Sequence, residues 1–573
     1  MEKSCDLLVI GGGPAGSTLA GLVKKHAPKR RVVLLEKAPG PRHHIGESLL
    51  PGIVPVLKEL GAFEKVDRAG FPKKLGATYV WGPDRTPWDN DFDEINVSAM
   101  IERFGKLPDK VEYAWQVVRS RYDEILLRHA SELGVEVIRG ARAEGVLENG
   151  TRIAGVKFSA GRRRVSLRAG LTADCSGQDG FLSKYRKIRD PNPALKNVAV
   201  YAYYQGARWK YEYTGHPDKT RIFVCSTPSG WLWYIPVSRE VVSIGLVTTA
   251  DHLKKSRIND LPGLFQKEIR ACREVWPLVK GAKRLKGFDG TSKEFFTLKD
   301  WSYLNHRASG PGWLAAGDAA IFVDPILSSG VTLAQLAAHR AAHTAISAWG
   351  EKSAAAKNRL WADYDLFCRE SAAQYLALAL FWYGNDPCAA RWWKKALEIQ
   401  RAWLPVPVSD KSAFVTVSAG LTRYYDRPIS DAALADEQEV RAEEYPFHEN
   451  VFPKTEPEQI QGGDERVPRL NCPWRVELAF VPKAKGPGLR PVQRVRFLKH
   501  NPDEPVQDAL NPRKLVTRWH LTLLKSIDGR LSISEILAAA SKKSVPAWWL
   551  ARPARVFLRD LAAQGVLDFG AGG

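Results

Sequence analysis

Cysteine is scarce in this chain, and its distribution excludes two common kinds of stabilised fold. The 573 residues include seven cysteines, none in a C-x-x-C pair: Cys5, Cys175, Cys225, Cys272, Cys368, Cys388 and Cys472. An odd number of widely scattered cysteines argues against a disulfide framework and against a cysteine zinc site. The adjacent histidines His43 and His44 have no cysteine or carboxylate beside them at ligand spacing. We therefore predict reduced thiols and no metal site.

The sequence also lacks an apolar run long enough to cross a membrane. The longest run, Tyr375 to Tyr383 with its alanine-rich approach, is well short of the ~20 residues that a spanning helix needs. Residues Met1 to Ser4 are not followed by the apolar region of a signal peptide. Hydrophobic residues make up 45% of the chain, which is enough for large cores. These features predict a folded cytoplasmic protein that does not bind membranes.

Acidic residues are fewer than basic residues in this chain. The chain has 84 lysines and arginines against 63 acidic residues, a formal net charge of +21. No stretch interleaves basic and aromatic residues as a nucleic-acid-binding module does, so no nucleic acid is expected as a partner. Two interpretations of the excess positive charge stay open: a solvated basic surface, or a surface that attracts an acidic partner.

The beginning of the chain has the pattern of a dinucleotide-binding turn. An apolar strand, Cys5 to Ile10, runs into a G-x-G-x-x-G motif and then a helical segment. Gly11 permits the tight turn, Gly13 lets the backbone approach a pyrophosphate, and the third glycine lets helix and strand pack closely. A second strand ends in Glu36, where an acid accepts hydrogen bonds from a ribose. The pattern predicts a Rossmann-like domain and leaves flavin or nicotinamide open.

Two later strands end in small-residue turns that would bring backbone beside the same cofactor. One ends at Asp174 to Gly177 and the other at Gly317-Asp318, where the Asp318 carboxylate suits a ribityl hydroxyl. Arg119, near the start of a predicted helix, contacts either cofactor phosphate or solvent. Between these turns, residues 198–247 alternate in the manner of an antiparallel sheet. We find no second credible dinucleotide motif in the sequence.

These segments together resemble flavoproteins of the aromatic hydroxylase-like fold. Within that group, Trp231 to Pro236 matches the W-x-W-x-I-P motif of the flavin-dependent halogenases, and Lys74 to Ala77 resembles their lysine-containing segment. The resemblance covers about residues 1–350. It implies an α/β fold in which an FAD-binding Rossmann-like domain is interleaved with an antiparallel substrate sheet, followed by a mostly helical C-terminal region.

The predicted boundaries follow from this resemblance and from the composition of the C-terminal part. The halogenase core spans 1–350, with FAD-binding segments at about 1–80, 110–180 and 296–350 and a substrate sheet at about 81–109 and 190–295. Residues 351–426 are expected to be helical, 427–510 an irregular linker, and 511–573 a winged-helix-like module. In that module, Ser532 and Glu535 have the spacing of a capping box.

The resemblance also implies the site residues. Lys74 is the expected catalytic residue, and the backbone of Ser329 and Gly330 is expected to bind halide. The motif residues Trp231, Trp233, Ile235 and Pro236 form a wall between flavin and substrate. The expected cofactor-binding residues are Gly11, Gly13, Pro14, Ala15, Gly16, Glu36, Lys37, Gly46, Glu47, Ser48, Arg119, Asp174, Gly317, Asp318, Pro325, Gly330 and Val331.

The activity implied is that of an FADH2-dependent halogenase of secondary metabolism, such as antibiotic biosynthesis. It would use O2 and chloride or bromide to make hypohalous acid, which passes to Lys74. With one dinucleotide site, a separate flavin reductase is the expected partner. Tryptophan halogenases carry a glutamate where this chain has Leu327, so the chain resembles the branch that acts on phenols, pyrroles and carrier-protein-tethered groups. The alternative is a flavin-dependent monooxygenase or reductase of the same fold.

Overall fold

The computed structural model describes most of the chain and divides it into two compact units. The described residues are 4–81, 85–94, 113–209, 219–384, 389–403, 409–419, 463–483, 487–508, 510–516, 518–541 and 547–569. Unit 1 comprises residues 1–94, 111–392 and 418–420, and unit 2 comprises 95–110, 393–417 and 421–573. No helix in the described ranges combines the length and the apolar character needed to span a bilayer.

Strands account for most of the regular structure. They are β1 (Ser4–Ile10), β2 (Val32–Glu36), β3 (Lys73–Val80), β4 (Pro87–Asp91), β5 (Ala114–Trp115), β6 (Glu136–Arg139), β7 (Ala141–Asn149), β8 (Arg152–Ala160), β9 (Arg163–Asp174), β10 (Arg189–Gln205), β11 (Lys219–Thr227), β12 (Gly230–Pro236), β13 (Val241–Thr249), β14 (Lys283–Arg284), β15 (Phe296–Asn305), β16 (Ser309–Gly310), β17 (Trp313–Ala315), β18 (Ile321–Phe322), β19 (Pro468–Leu470), β20 (Trp474–Pro482), β21 (Leu489–Phe497), β22 (Arg513–Val516) and β23 (Leu567–Phe569).

Helices cover one side of the first sheet and dominate the later part of the chain. They are α1 (Pro14–His26), α2 (Val54–Leu60), α3 (Phe63–Asp67), α4 (Arg119–Glu132), α5 (Phe181–Arg186), α6 (Ala250–Lys255), α7 (Leu261–Ala271), α8 (Trp276–Val279), α9 (Gly330–Gly350), α10 (Ala354–Gly384), α11 (Ala389–Trp403), α12 (Asp410–Ser418), α13 (Pro505–Asp508), α14 (Arg518–Ser526), α15 (Ile533–Ser541) and α16 (Ala547–Ala563). Short 3-10 turns include Pro51–Ile53, Gly177–Asp179, Gly317–Ala319 and Pro325–Leu327.

The first sheet of unit 1 is built around β1 and is parallel from β17 to β6, whereas β16, β7 and β8 pair antiparallel. Its order is β16-β17-β9-β1-β2-β6, with the β7–β8 hairpin attached through β8 to β9. Its central strand has fully buried residues on both faces, as parallel sheets covered on both sides do. Helix α1 packs against α4 and α9. Ile10, Asp174 and Ala315 end β1, β9 and β17 in mutual register, so the loops that follow these strands share one edge.

The second sheet of unit 1 is larger and mostly antiparallel. Its order is β18-β15-β10-β13-β12-β11-β3-β4, and the pair β11–β3 is parallel. One face carries a core that includes Phe223, Tyr234 and Ile244 and packs against Phe265 of α7. The opposite face carries the motif tryptophans. The combination of a parallel sheet and an antiparallel sheet confirms the predicted α/β fold class.

The predicted segments do not follow the two sheets. Strands β3, β5, β15 and β18 lie in ranges predicted to bind FAD, but all four pair within the second sheet. One partner of β3 is β11, about 145 residues later in the chain, and no local pattern reveals a pairing at that separation. Of the substrate-sheet range 81–109, Pro87–Asp91 joins this sheet, and residues 95–109 lie outside the described residues.

Unit 2 contains two small antiparallel assemblies and a helical core. β20, β21 and β22 form a three-stranded sheet, and β19 pairs with β23. The prediction of an irregular range 427–510 is therefore wrong for residues 468–497; residues 427–462 lie outside the described residues. Apolar residues from β21 and α14 to α16 form one cluster. Ser532 and Glu535 make the reciprocal hydrogen bonds of a capping box at the start of α15.

Candidate active site

Three loops that are far apart in sequence meet at the carboxyl edge of the parallel sheet. They follow β1, β9 and β17. A Cβ atom at Gly11 would lie 2.3 Å from the carbonyl oxygen of Cys175, and one at Gly16 would lie 1.9 Å from the carbonyl oxygen of Gly11. A Cβ at Gly13 would have no atom within 4 Å. Two glycines therefore allow close packing, and the third faces open space at the N-terminus of α1.

These loops form one side of a cavity of about 450 Å³ whose other side is the antiparallel sheet. The cavity brings together most of the sequence-predicted site residues. Those that line it are Gly13, Pro14, Ala15, Lys37, Gly46, Glu47, Ser48, Arg119, Trp231, Trp233, Ile235, Gly317, Asp318, Pro325, Ser329, Gly330 and Val331.

The polar groups of this cavity suit a flavin adenine dinucleotide. Arg119 lines it and is buried, and its pKa is raised: burial would lower it, but Asp123, 2.9 Å away, holds the guanidinium charged. The buried Ser48 hydroxyl has no hydrogen-bond partner in the described part of the chain. Burial raises the pKa of Asp318 to about 6. An open helix N-terminus, a buried cation and an unpartnered donor fit the phosphates and hydroxyls of such a cofactor.

Some predicted cofactor residues hold the loops instead of lining the cavity. The Glu36 carboxylate accepts hydrogen bonds from the backbone N–H groups of Gly12 (2.7 Å) and Ala38 (2.8 Å). Asp174 accepts from the N–H groups of Ser176 (3.0 Å) and Leu182 (2.6 Å). Both carboxylates fix the turns that carry the lining residues. The fingerprint glycines Gly11 and Gly16 also support the loops through close backbone packing and do not line the cavity. Pro236 does not line the cavity either.

The N-terminus of the long helix α9 opens into the cavity. Ser329 caps this helix and Gly330 is its first residue; a Cβ at Gly330 would have no atom within 4 Å. Ser328, just before them, has φ +57°, a left-handed conformation that is unfavourable for serine and recurs at functional turns. Two backbone N–H groups at a helix N-terminus provide a place for an anion. Leu327 is buried beside this turn.

The tryptophan motif forms part of a hydrogen-bonded wall. Trp231 donates its indole N–H to the hydroxyl of Tyr383 (2.9 Å), which in turn donates to Asp324 (3.0 Å). Trp233 donates to the hydroxyl of Ser243 (3.2 Å). The indole of Trp233 lies flat over Gly245, where a Cβ would come within 2.2 Å of the ring. The wall therefore depends on a glycine on the neighbouring strand.

Lys74 lies on the same face of the sheet as this wall. The pairing of β3 with β11 shifts at Leu75, so that Lys74 lies opposite Thr220. Thr220, Ile222 and Val224 alternate along one face of β11, and the last two line the cavity. A β-bulge of this kind re-aims a side chain. Without the shift, regular alternation would place Lys74 on the opposite face, with the core around α7.

The environment of Lys74 is apolar. The side chain is 1% exposed, its Nζ lies 5.6 Å from the centroid of the Phe92 ring, and no described carboxylate pairs with it. Burial lowers its pKa to about 7. Lys74 is not one of the residues that line the 450 Å³ cavity. The amine is thus held apart from the cofactor side, in a form that gains and loses a proton near neutral pH.

The sequence predicted Glu47 as a cofactor residue but not the network around it, which lies beside Trp233, whose ring centroid is 5.7 Å from that of Tyr201. Tyr203 donates a hydrogen bond to the buried carboxylate of Glu47 (2.7 Å), and burial raises the pKa of Glu47 to about 7. His43 contacts the hydroxyl of Tyr201 at 3.2 Å. Both His43 and His44 line the cavity, and burial lowers the pKa of His44 to about 4. The sequence around these histidines did not indicate the contacts, because Tyr201 and Tyr203 lie on β10, far away in the sequence.

A parallel dinucleotide-binding sheet and an antiparallel sheet that share one cavity define a flavoprotein with an enclosed substrate side. The family model described as "Tryptophan halogenase" matches residues 6–107 and 96–357. The chain belongs to this family, which is that of the flavin-dependent halogenases. It is an enzyme of that family, and the predicted assignment is confirmed.

Named relatives agree with this assignment. The chain is 33% identical over 344 residues to a 1H-pyrrole-2-carbonyl-(peptidyl-carrier protein) chlorinase of Pseudomonas fluorescens, a match that covers 58% of this chain and 74% of that protein. The structure of the myxobacterial chondrochloren halogenase CndH is similar with a TM-score of 0.60 and 30% identity, covering 67% of this chain and 84% of that one. The flavin-dependent halogenase CmlS, at 19% identity and a TM-score of 0.69, shares the fold over 99% of this chain and 96% of its own.

Proposed function

We propose that this chain halogenates an electron-rich aromatic ring with chloride or bromide, by way of hypohalous acid. The observation that carries the proposal is a buried Lys74 with a pKa of about 7, on the cavity-side face of the sheet and without a described carboxylate partner. Burying a lysine in apolar surroundings costs folding free energy, and residues with strongly shifted pKa values cluster at functional sites. When bound, reduced FAD would activate O2, which supplies the oxidising equivalents.

Each part of the cavity has a role in this proposal. The N–H groups of Ser329 and Gly330 hold the halide beside the cofactor. The Trp231–Tyr383–Asp324 chain keeps the wall rigid and keeps an organic substrate away from the cofactor. Lys74 then receives the hypohalous acid, either by hydrogen bonding to it as an ammonium or by reacting with it as a neutral amine to give a haloamine and water. In both forms it directs the halogen to one substrate carbon.

We infer an activated ring, such as a phenol or pyrrole, as the substrate. The position that carries a glutamate in the tryptophan halogenases is Leu327 here, and a buried leucine neither accepts a proton nor orients an oxidant. An electron-rich ring needs less assistance. The similarity to a chlorinase of a carrier-bound pyrrole and the net charge of +21 both favour a substrate tethered to an acidic carrier protein.

The proposal includes a separate flavin reductase as a partner. The chain offers one dinucleotide cavity in its described part, and that cavity is assigned to FAD. We therefore expect no efficient oxidation of NADH by the purified chain in the presence of FAD. Rapid NADH oxidation without an added reductase would contradict this expectation.

The experiment that tests the function is a reaction with a reductase, FAD, O2 and chloride or bromide, read by mass spectrometry. The substrates are phenols, pyrroles and carrier-bound acyl groups. A halogen isotope pattern in the product that disappears in the Lys74→Met variant supports the proposal. Hydroxylated products without halogen would instead favour a monooxygenase.

A further inference from the structure

Three histidines converge on one carboxylate at a place in unit 1 that the proposed chemistry does not use. The Nε2 atoms of His26 and His343 lie 3.1 and 2.8 Å from Oε1 of Glu59, and Nε2 of His339 lies 2.9 Å from Oε2. The ligand atoms of His26, Glu59 and His343 all lie within 4.8 Å of one another. Three potential ligands from three helices thus surround one small volume, and His339 approaches the same carboxylate through its other oxygen.

The donor set and its geometry suit a divalent zinc ion. In a tetrahedral zinc site with bonds of about 2.0–2.1 Å, neighbouring ligand atoms are roughly 3.3 Å apart. The distances of 2.8–3.1 Å would need to widen by only a few tenths of an ångström. His339 and His343 are four residues apart on α9, a spacing that puts both imidazoles on one helix face. Imidazole and carboxylate are ligands that zinc accepts.

The burial of the cluster leaves a route for an ion. His339 and His343 are buried, whereas the side chains of His26 and Glu59 are 20% and 22% exposed. An ion can therefore enter from the His26 side.

We propose that His26, Glu59, His339 and His343 form a structural zinc site that joins α1, α2 and α9. No sequence pattern predicts this site, because its residues are spread from position 26 to position 343 and only the two on α9 have a recognisable spacing. At about 1.5 Å per residue, the α9 ligands lie roughly 14–20 Å along the helix from Gly330. The ion is too remote to take part in halogenation. It fixes the two helices whose N-termini face the cavity.

Equilibrium dialysis of the tag-free full-length chain against Zn²⁺, with metal content measured by mass spectrometry, tests the site. We expect one tightly bound Zn²⁺ per chain, a thermal midpoint that falls when a chelator removes it, and Co²⁺ substitution that gives the intense visible bands of a four-coordinate ion. His26→Gln is the mildest ligand variant, since that side chain is partly exposed. It should weaken Zn²⁺ binding at least tenfold, and His339→Gln at least a hundredfold.

His306→Gln is the matched control, because His306 is exposed and pairs with Asp190 at 2.6 Å elsewhere in unit 1. It should bind Zn²⁺ as the parent chain does. FAD retention reports folding of every variant. The proposal is overturned if the parent chain binds Zn²⁺ no more tightly than His26→Gln, or if the Co²⁺ bands are weak and identical in both. That result would leave three imidazoles hydrogen-bonded to a carboxylate and no metal.

Discussion

Burial of Lys74 destabilises the folded protein, and unfolding experiments can measure the size of this effect. Its pKa falls from 10.5 to about 7 because burial disfavours the ammonium. Between these values the unfolded chain binds a proton that the folded chain does not, so this contribution to stability rises with pH from 7 to 10.5 and is at its most unfavourable below 7.

We therefore predict that Lys74→Met stabilises the protein at pH 6 by roughly 2–4 kcal/mol, since methionine fills the space without a buried charge. Urea unfolding at pH 6 and pH 9 measures the difference, which should shrink at the higher pH. A variant that is less stable than the parent at pH 6 would show that the ammonium has a compensating partner.

The same variant, although more stable, should lose its halogenating activity. Lys74→Met is expected to abolish halogenation while FAD binding and oxygen consumption continue, because the lysine acts after the oxidant forms. Lys73→Met is the control: its ammonium lies 3.8 Å from Asp67 and 4.4 Å from the Tyr113 ring centroid, and the side chain is 30% exposed. It should lose less than about twofold. Equal halogenation by the two variants would show that Lys74 takes no part in the mechanism.

At the scale of single residues, the sequence predicted those site residues whose role depends on local chain geometry. Gly13, the Gly317-Asp318 turn and the tryptophan motif all reach the cavity. It did not predict Gly245 or Tyr383, whose importance arises from contact with a tryptophan on another element. The ribose-binding role of Glu36 stays a prediction; in the structure its carboxylate accepts hydrogen bonds from the backbone N–H groups of Gly12 and Ala38.

At the scale of elements, the contact between β12 and β13 limits the size of the side chains that the wall can hold. Strand β13 provides Gly245 directly under the indole of Trp233, with no room for a methyl group. The indole in turn lines the cavity. Any side chain at this position must push the ring toward the cofactor, since the other face of the strand packs in the core.

We predict that Gly245→Ala destabilises the fold by roughly 1–3 kcal/mol through overpacking. It should also raise the ratio of hydrogen peroxide to halogenated product, because the displaced indole no longer holds the wall. Ser243→Ala, which removes the acceptor of the Trp233 N–H but adds no volume, is the comparison and should have the smaller effect. Peroxide assay and product quantification measure the ratio. An unchanged ratio in Gly245→Ala would mean that the wall does not couple the two steps.

The arrangement of elements was predictable where strands and helices alternate and not where strands pair at a distance. The strand, turn and helix at the beginning of the chain have a local pattern, so their fold followed from spacing. The bulge at Leu75 depends on the register between β3 and β11, which only the folded sheet determines. Since that bulge orients Lys74, the motif identified the lysine but not the face on which it lies.

For the molecule as a whole, the net charge of +21 is the largest feature without a role inside the cavity. Several buried cations have acidic partners, among them Arg119, Arg340 and Lys514, whereas Lys74 pairs with no described carboxylate. The excess therefore lies mainly with less buried side chains, where it acts on approaching molecules. A long-range field of this sign would speed the encounter with an acidic protein more than it would strengthen the final complex.

The charge and the proposed carrier-bound substrate lead to a prediction about salt. Acyl and peptidyl carrier proteins are acidic, and their phosphopantetheine arm would carry a ring into an enclosed site. Raising the ionic strength from 0.1 M to 1 M shortens the Debye length from about 10 Å to about 3 Å, so kcat/KM for a tethered ring should fall at least tenfold. The free acid should change little across the same series, because one small anion responds far less to the field. Chloride must stay saturating throughout, with sodium sulfate as the variable salt. Equal rates for tethered and free substrate, without salt dependence, would show that the basic surface does not guide a carrier protein.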